Sequence, residues 1–266
     1  MLESRIIPCL LIRDGGVVKT VRFRDPTYIG DPINAVKIFN EKEVDEIIVL
    51  DIDASSEARA PNYKLIEQLA NECRMPLCYG GGVKTSEQAD RIFSLGVEKV
   101  AVSSSAIDNP LLVRELANRA GSQSVVVVVD VKRTRWGNRP EVWTDNARRN
   151  TKVAPAAWAQ RMESLGAGEV VLNSIDQDGV MQGYDQDLVT SVRAAIHLPL
   201  TVLGGAGTLE HIGELIGRNE VVGAAAGSLF LFKGAYRAVL INYPNAQDRR
   251  ALLRKHARPS WQRHST

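Results

Sequence analysis

The chain has 266 residues, 44% of them hydrophobic and 24% charged, with a net charge of +2. A balance so close to neutral argues against nucleic acid as a main partner, and the apolar runs fall far short of the roughly 20 residues that a membrane-spanning helix needs. The length fits one large α/β barrel or two ordinary domains. MLESRII lacks the layout of a signal peptide, and Cys9, Cys73 and Cys78 have no metal or redox spacing. Reduced thiols in a cytoplasmic protein with no cofactor and no metal are therefore expected. Cys9 and Cys78 sit in apolar runs and read as packing residues.

In chain order the strand candidates are 6–12, 46–51, 76–80, 99–103, 125–131, 170–173, 200–203 and 223–226. They are β-branched and apolar throughout, the pattern of parallel strands buried on both faces. Amphipathic segments lie between them, among them 61–73, 86–95, 110–120, 155–165 and 209–217. Thr85-Ser86-Glu87-Gln88 has the form of a capping box at a helix start. This alternation predicts a closed (β/α)8 TIM barrel over residues 1–243, with an open doubly wound sheet as the alternative. The remainder, 244–266, reads as a basic C-terminal tail. Its stretch 249–263 holds six Lys/Arg and no acid, as in a solvated or frayed end.

Gly80-Gly81-Gly82 recurs as Gly204-Gly205-Ala206, and Ser103-Ser104 as Gly227-Ser228, each 124 residues later. Asp51-Ile52-Asp53 recurs as Asp176-Gln177-Asp178 at an offset of 125. Three matched features at nearly one spacing point to duplicated half-barrels. Sites in such barrels lie at the C-terminal ends of the strands. One half offers Gly81, Gly82, Ser103 and Ser104. The other offers Gly179, Gly205, Gly227 and Ser228. Glycine backbone and the starts of short helices at Ser104 and Ser228 suit anions, so two phosphate pockets facing each other are expected, unless these are turn residues only. Asp130 ends an apolar run and is a candidate general acid or base. Asp51, Asp176 and Asp178 join the candidate mouth residues, and Lys19 lies on a long loop suited to cover a phosphate.

RII-C, Gly30-Asp31-Pro32, Leu50–Ser55, Gly80–Gly82, Gly121–Asp130, Ser174–Asp185 and Gly204–Gly207 together resemble HisF, the cyclase subunit of imidazole glycerol phosphate synthase. The resemblance covers about residues 1–235. It implies a bis-phosphorylated ribotide as substrate and ammonia supplied by a HisH-like glutaminase partner. The family's proton-transfer pair are aspartates at the ends of strands one and five. The second is Asp130, but the first falls on Leu11, which can neither give nor take a proton. Other departures agree: Ser103-Ser104 replaces Asn-Thr, Val180 replaces Thr and Leu203 replaces Ser. The resemblance also implies an ammonia gate of four charges, present as Arg5, Glu46, Lys99 and Glu169, and a partner contact at Glu98.

IIPCLLI, VKTVRFRDP, MPLCYGGGVK and GAAAGSLF-FKG are similar to the second HisF-like paralogue (WbuZ-type) of surface-polysaccharide loci. That likeness implies ammonia delivery for amidation of an N-acetyl sugar, with a sugar amidotransferase as a possible further partner. The alternatives are a histidine-pathway cyclase that tolerates Leu11 and a non-catalytic scaffold.

Overall fold

The computed structural model describes residues 4–219, 222–234 and 236–256. Eight parallel strands close into a barrel: β1 (Arg5–Arg13), β2 (Ile47–Asp51), β3 (Leu77–Gly80), β4 (Lys99–Val102), β5 (Val125–Arg133), β6 (Glu169–Ser174), β7 (Leu200–Leu203) and β8 (Val222–Ala226). Each pairs with its neighbours, β8 pairs with β1, and β5 pairs with β6, so no edge is left open. The outer ring comprises α1 (Pro32–Glu41), α2 (Tyr63–Glu72), α3 (Ser86–Ser94), α4 (Leu111–Ala120), α5 (Pro155–Ser164), α6 (Gln186–Arg193) and α7 (Leu209–Arg218). The closed barrel excludes the open doubly wound sheet.

The strands alternate between two apolar environments, as the two-residue period of a strand requires. In β1, Ile6, Leu10 and Ile12 pack outward against the helices, whereas Ile7, Cys9 and Leu11 join a separate cluster inside the barrel. In β5, Val127 and Val129 face outward, and Val126 and Val128 face inward. The inner cluster is filled by Ile48, Cys78, Ala101, Val171 and Ala225 from the other strands. The interior is thus a packed core, with Cys9 and Cys78 as packing residues and no disulfide among the described cysteines.

Local chemistry sets the helix starts. Asp31 caps α1 by accepting from the Asn34 N–H at 2.8 Å, with Pro32 in the first turn. Thr85 and Gln88 form the capping box of α3 expected from the sequence: the Gln88 N–H donates to Thr85 Oγ1 at 3.3 Å, and the Thr85 N–H to Gln88 Oε1 at 3.2 Å. Such a cap is worth about 1 kcal/mol.

Two features depart from expectation. The loops after β1 and β5 are β-hairpins: Gly16–Val21 pairs with β1 and with Arg24–Gly30, and Pro140–Thr144 pairs with β5 and with Arg149–Asn150. The expected frayed end is instead a helix, α8 (Ala246–His256), over its described part. It buries Leu252 against α7 and pairs Lys255 with Glu210. Residues 257–266 lie outside the described residues. Ahead of α8, buried Tyr243 donates from its hydroxyl to the Ile6 carbonyl at 2.8 Å, and Arg249 pairs with Asp45, whose carboxylate also accepts from the Ile6 N–H at 2.9 Å. Among the described residues no helix is long and apolar enough to cross a membrane.

Tyr243→Phe removes the buried hydrogen bond to Ile6 and the long 3.5 Å one from Arg249 Nη1, and keeps the ring. It should cost about 1 kcal/mol in urea unfolding, with an unchanged m-value.

Candidate active site and the barrel floor

A cavity of about 350 Å3 opens at the C-terminal ends of the strands. Leu11 and Asp130 are inward-facing residues near the C-terminal ends of β1 and β5, and both line it. In the strand order β1 and β5 stand four places apart, on opposite sides of the barrel. A leucine therefore faces the one carboxylate left from the expected pair. Leu50 and Leu203 also line the wall; Val180 does not.

Asp130 accepts from Asn173 Nδ2 at 2.8 Å and from Ser103 Oγ at 3.2 Å. Desolvation pushes its pKa up to about 6, against the two hydrogen bonds, with the negative charge of Asp178 adding to the rise. This carboxyl is therefore poised to exchange a proton near neutrality. Asn173 was not singled out from the sequence, although a polar residue closing the apolar run of β6 is a signal of its kind. It is buried, lines the cavity, and its Oδ1 has no hydrogen-bond partner among the described residues. Asp130 and Asn173 together present acceptors suited to an N–H donor. Burial also pushes the Cys9 thiol up to about 12, so it is inert at neutral pH.

Most of the duplicated residues fall around this cavity; Asp53, Asp176 and Gln177 do not. Asp51, Gly81, Gly82, Ser103, Ser104, Asp178, Gly179, Gly205, Gly227 and Ser228 all line it. The short helices at Ser104–Asp108 and Ser228–Leu231 are present. Asp176 is not on the wall: its carboxylate turns aside to accept from the Arg133 N–H at 2.8 Å. Asp51 accepts from the Ala54 N–H at 3.1 Å and pairs with Arg59 at 3.3 Å, which holds the turn after β2. Lys19 is buried, bonded to Asp178 and to the Thr20 carbonyl at 2.9 Å.

At the other end of the barrel Arg5, Glu46, Lys99 and Glu169 form a ring. Lys99 Nζ lies 2.8 Å from Glu46 and 2.9 Å from Glu169, Arg5 lies 2.8 Å from Glu169, and Arg5 also pairs with Glu46. Thr201 Oγ1 donates to Glu169 at 2.6 Å. Burial works against the charges, but the opposite charges outweigh it. Arg5 and Lys99 are held above their ordinary range and Glu169 below its own. The geometry closes the four charges into one alternating ring. Ile7, Cys9, Ile48, Cys78, Val126 and Val171 fill the interior. Glu98 is exposed, accepts from the Leu77 N–H at 2.8 Å, and borders a shallow groove with Pro76, Phe93 and Gln123.

These features define a class: a (β/α)8 barrel with a cavity at the strand ends and a charge-closed floor. The chain belongs to the histidine biosynthesis protein family, whose model matches residues 5–236, and within it to the HisF subunits of imidazole glycerol phosphate synthase. It is 54% identical to a Vibrio vulnificus protein that carries the provisional name imidazole glycerol phosphate synthase subunit hisF3, over 95% of this chain and 97% of that one. A Pseudomonas aeruginosa protein, provisionally named subunit hisF2, is 52% identical over 92% and 97%. Subunit HisF of Lactococcus lactis subsp. cremoris is 41% identical over 86% of this chain and 89% of its own.

Because Asp130 holds its proton more tightly folded than unfolded, its ionisation costs stability. That cost is absent below the ordinary aspartate value and complete once the pH has passed about 6. Asp130→Asn should therefore gain about 1–3 kcal/mol over the parent at pH 8 and little at pH 4, read by urea unfolding at both. Glu169 has the opposite sign: its lowered pKa stabilises the fold above the ordinary glutamate range, and this is lost on acidification. Glu169→Gln leaves two half-buried cations on one carboxylate and should cost about 2–4 kcal/mol at pH 7.

Proposed function

We propose that this chain docks a HisH-like glutaminase at its barrel floor and passes glutamine-derived ammonia through the barrel to the mouth cavity, with little cyclase activity of its own. The observation that carries this is the contrast between the two ends. The floor keeps all four charges in one ring, whereas the mouth has Leu11 where an acid–base pair needs its second carboxylate. Loss of one member of such a pair costs about 10²–10⁴-fold in rate, and more where the two act as a unit.

The interior supports the same reading. Apolar packing above the ring favours neutral ammonia over ammonium, since an unpaired ion there carries the full cost of desolvation. At the head of that route Asp130 and the unpartnered Asn173 Oδ1 offer acceptors for N–H groups. Glu98 and the groove beside it lie next to Lys99 of the ring. Identity is also higher to the proteins provisionally named hisF2 and hisF3 than to the Lactococcus HisF. Delivered at the mouth, the ammonia would serve amidation of an N-acetyl sugar in surface-polysaccharide synthesis, with a sugar amidotransferase as its consumer.

The test is a cyclase assay with the bis-phosphorylated ribotide and saturating ammonium salt, run beside Leu11→Asp. A second assay measures glutamine hydrolysis by a HisH-type glutaminase with and without this chain. The reading expects no turnover from the parent chain, activity appearing in Leu11→Asp, and glutamine hydrolysis that rises on mixing. Turnover by the parent at ordinary enzyme rates would make it a cyclase and sink the reading, as would a glutaminase indifferent to the chain.

A further inference from the structure

A third hairpin follows β8: Phe232 pairs with Val239 and Lys233 with Ala238, after the short helix Ser228–Leu231. With the hairpins after β1 and β5 it stands at the mouth end of the barrel. One loop ties all three together. The Arg22 N–H of the first donates to the Asp178 carbonyl at 2.9 Å, and the Arg133 N–H at the base of the second donates to Asp176 at 2.8 Å. Arg237 of the third reaches the Gly179 carbonyl at 3.5 Å. The three hairpins are therefore one connected rim.

That rim carries almost all of the exposed large apolar side chains. Trp136 is 89% exposed and Tyr236 99%, and Val21, Tyr28, Val239 and Leu240 are exposed with them. Leu111, the first residue of α4, is the one other large hydrophobic side chain exposed among the described residues. Apolar side chains scattered singly over a surface need no explanation, but a group on one rim marks an interaction surface. A ligand in the cavity does not account for them, because none of the six lines its wall.

The charge of the rim is one-sided. Residues 132–152 hold seven Lys/Arg against two acids, and 232–240 hold two against none, although the whole chain nets only +2. Both acids are already engaged: Asp145 pairs with Arg149 at 3.0 Å, and Glu141 accepts from Asn150 Nδ2 at 2.6 Å. Arg135, Arg139, Lys152 and Lys233 are exposed, lie off the cavity wall and have no carboxylate partner among the described residues.

We propose that this rim docks the enzyme that consumes the ammonia, through a face of that enzyme that is acidic around an apolar centre. Trp, Tyr and Arg are the side chains that carry most of the binding energy where proteins meet. A basic rim selects an acidic partner and speeds its encounter. Nucleic acid is the other partner of cations and aromatic rings, but the aliphatic Val21, Val239 and Leu240 offer a base no face to stack on. They fit the apolar side chains of a protein. Position favours the consumer. A protein seated on the rim covers the opening of the cavity, so ammonia that has crossed the barrel passes on without meeting water, which would protonate and dilute it. The proposal rests on the reading that ammonia leaves at the mouth.

The probe is a purified sugar amidotransferase from the same organism, titrated by biolayer interferometry against the full chain, alone and with a HisH-type glutaminase present. The expected result is saturable binding that weakens as salt is raised. Trp136→Ala and Tyr236→Ala should each weaken it about tenfold or more. Arg135→Glu combined with Arg139→Glu should slow association about tenfold. Lys37→Ala, on the outer surface of α1, should leave binding within about twofold. Trp136 and Tyr236 stand clear of the barrel, so their variants should keep the urea midpoint of the parent, which separates lost docking from lost folding. No saturable binding, or binding unchanged in all the rim variants, would overturn the proposal. So would a single-stranded oligonucleotide that binds the parent and not Trp136→Ala, which makes the rim a nucleic-acid surface. A Trp136→Ala chain that no longer stimulates the glutaminase would overturn it as well, by giving the rim to that partner. A chain that stimulates the glutaminase yet binds no amidotransferase loses this proposal and keeps the ammonia route; one that binds the amidotransferase through the rim while the glutaminase is indifferent keeps the docking surface and removes the route.

Discussion

Four charges at the floor of the barrel set the terms for the rest of the molecule. Arg5, Glu46, Lys99 and Glu169 come from the starts of β1, β2, β4 and β6 or from the residue just before, and each touches two ring partners of opposite sign. A buried charge is tolerated only when paired and hydrogen-bonded. The ring therefore holds four strands in one relative register. It also separates the chemistry along the barrel axis: the polar groups of the floor are committed to closure, the middle is apolar, and the carboxyl with the raised pKa, Asp130, stands at the mouth.

At the mouth the balance between apolar and ionisable groups has shifted. Leu11, Leu50 and Leu203 face the cavity, and the Asp130 carboxyl among them is lifted toward neutrality by desolvation. Carboxylates remain in number, but most are committed to holding loops. Asp51 secures the turn after β2, Asp53 binds Arg13 and Asn146, and Asp178 binds Lys19 and Thr20. Their roles are set by their partners, which explains why similar Asp residues in duplicated positions do different work.

Much of this was legible in the sequence, for identifiable reasons. Strands buried on both faces read as unbroken β-branched runs, and Thr85 with Gln88 announced a helix start through side-chain chemistry alone. The inward direction of Leu11 and Asp130 follows from the strand period. The two hairpins were not legible, because their strands are short, mixed in polarity and held by tertiary partners such as Asp178. Asp176 was placed at the mouth by analogy with Asp51, yet a backbone N–H at Arg133 captures it. The C-terminal helix α8 escaped notice because its composition is basic; a single buried leucine and ion pairs to distant residues hold it.

The return of the chain from β8 to the floor has a topological consequence. Tyr243 and Arg249 meet Ile6 and Asp45, so the end of the barrel segment lies against its beginning. Chain ends that adjoin in space can be spliced and reopened elsewhere with little loss of packing. In a barrel made of two matched halves the natural reopening lies between β4 and β5. Such a permutant would begin with the half that bears Asp130 and end with the half that bears Leu11, leaving every contact of the ring and the cavity wall in place. The order of the halves along the chain is then a record of how the barrel was assembled, and no part of how it is held together.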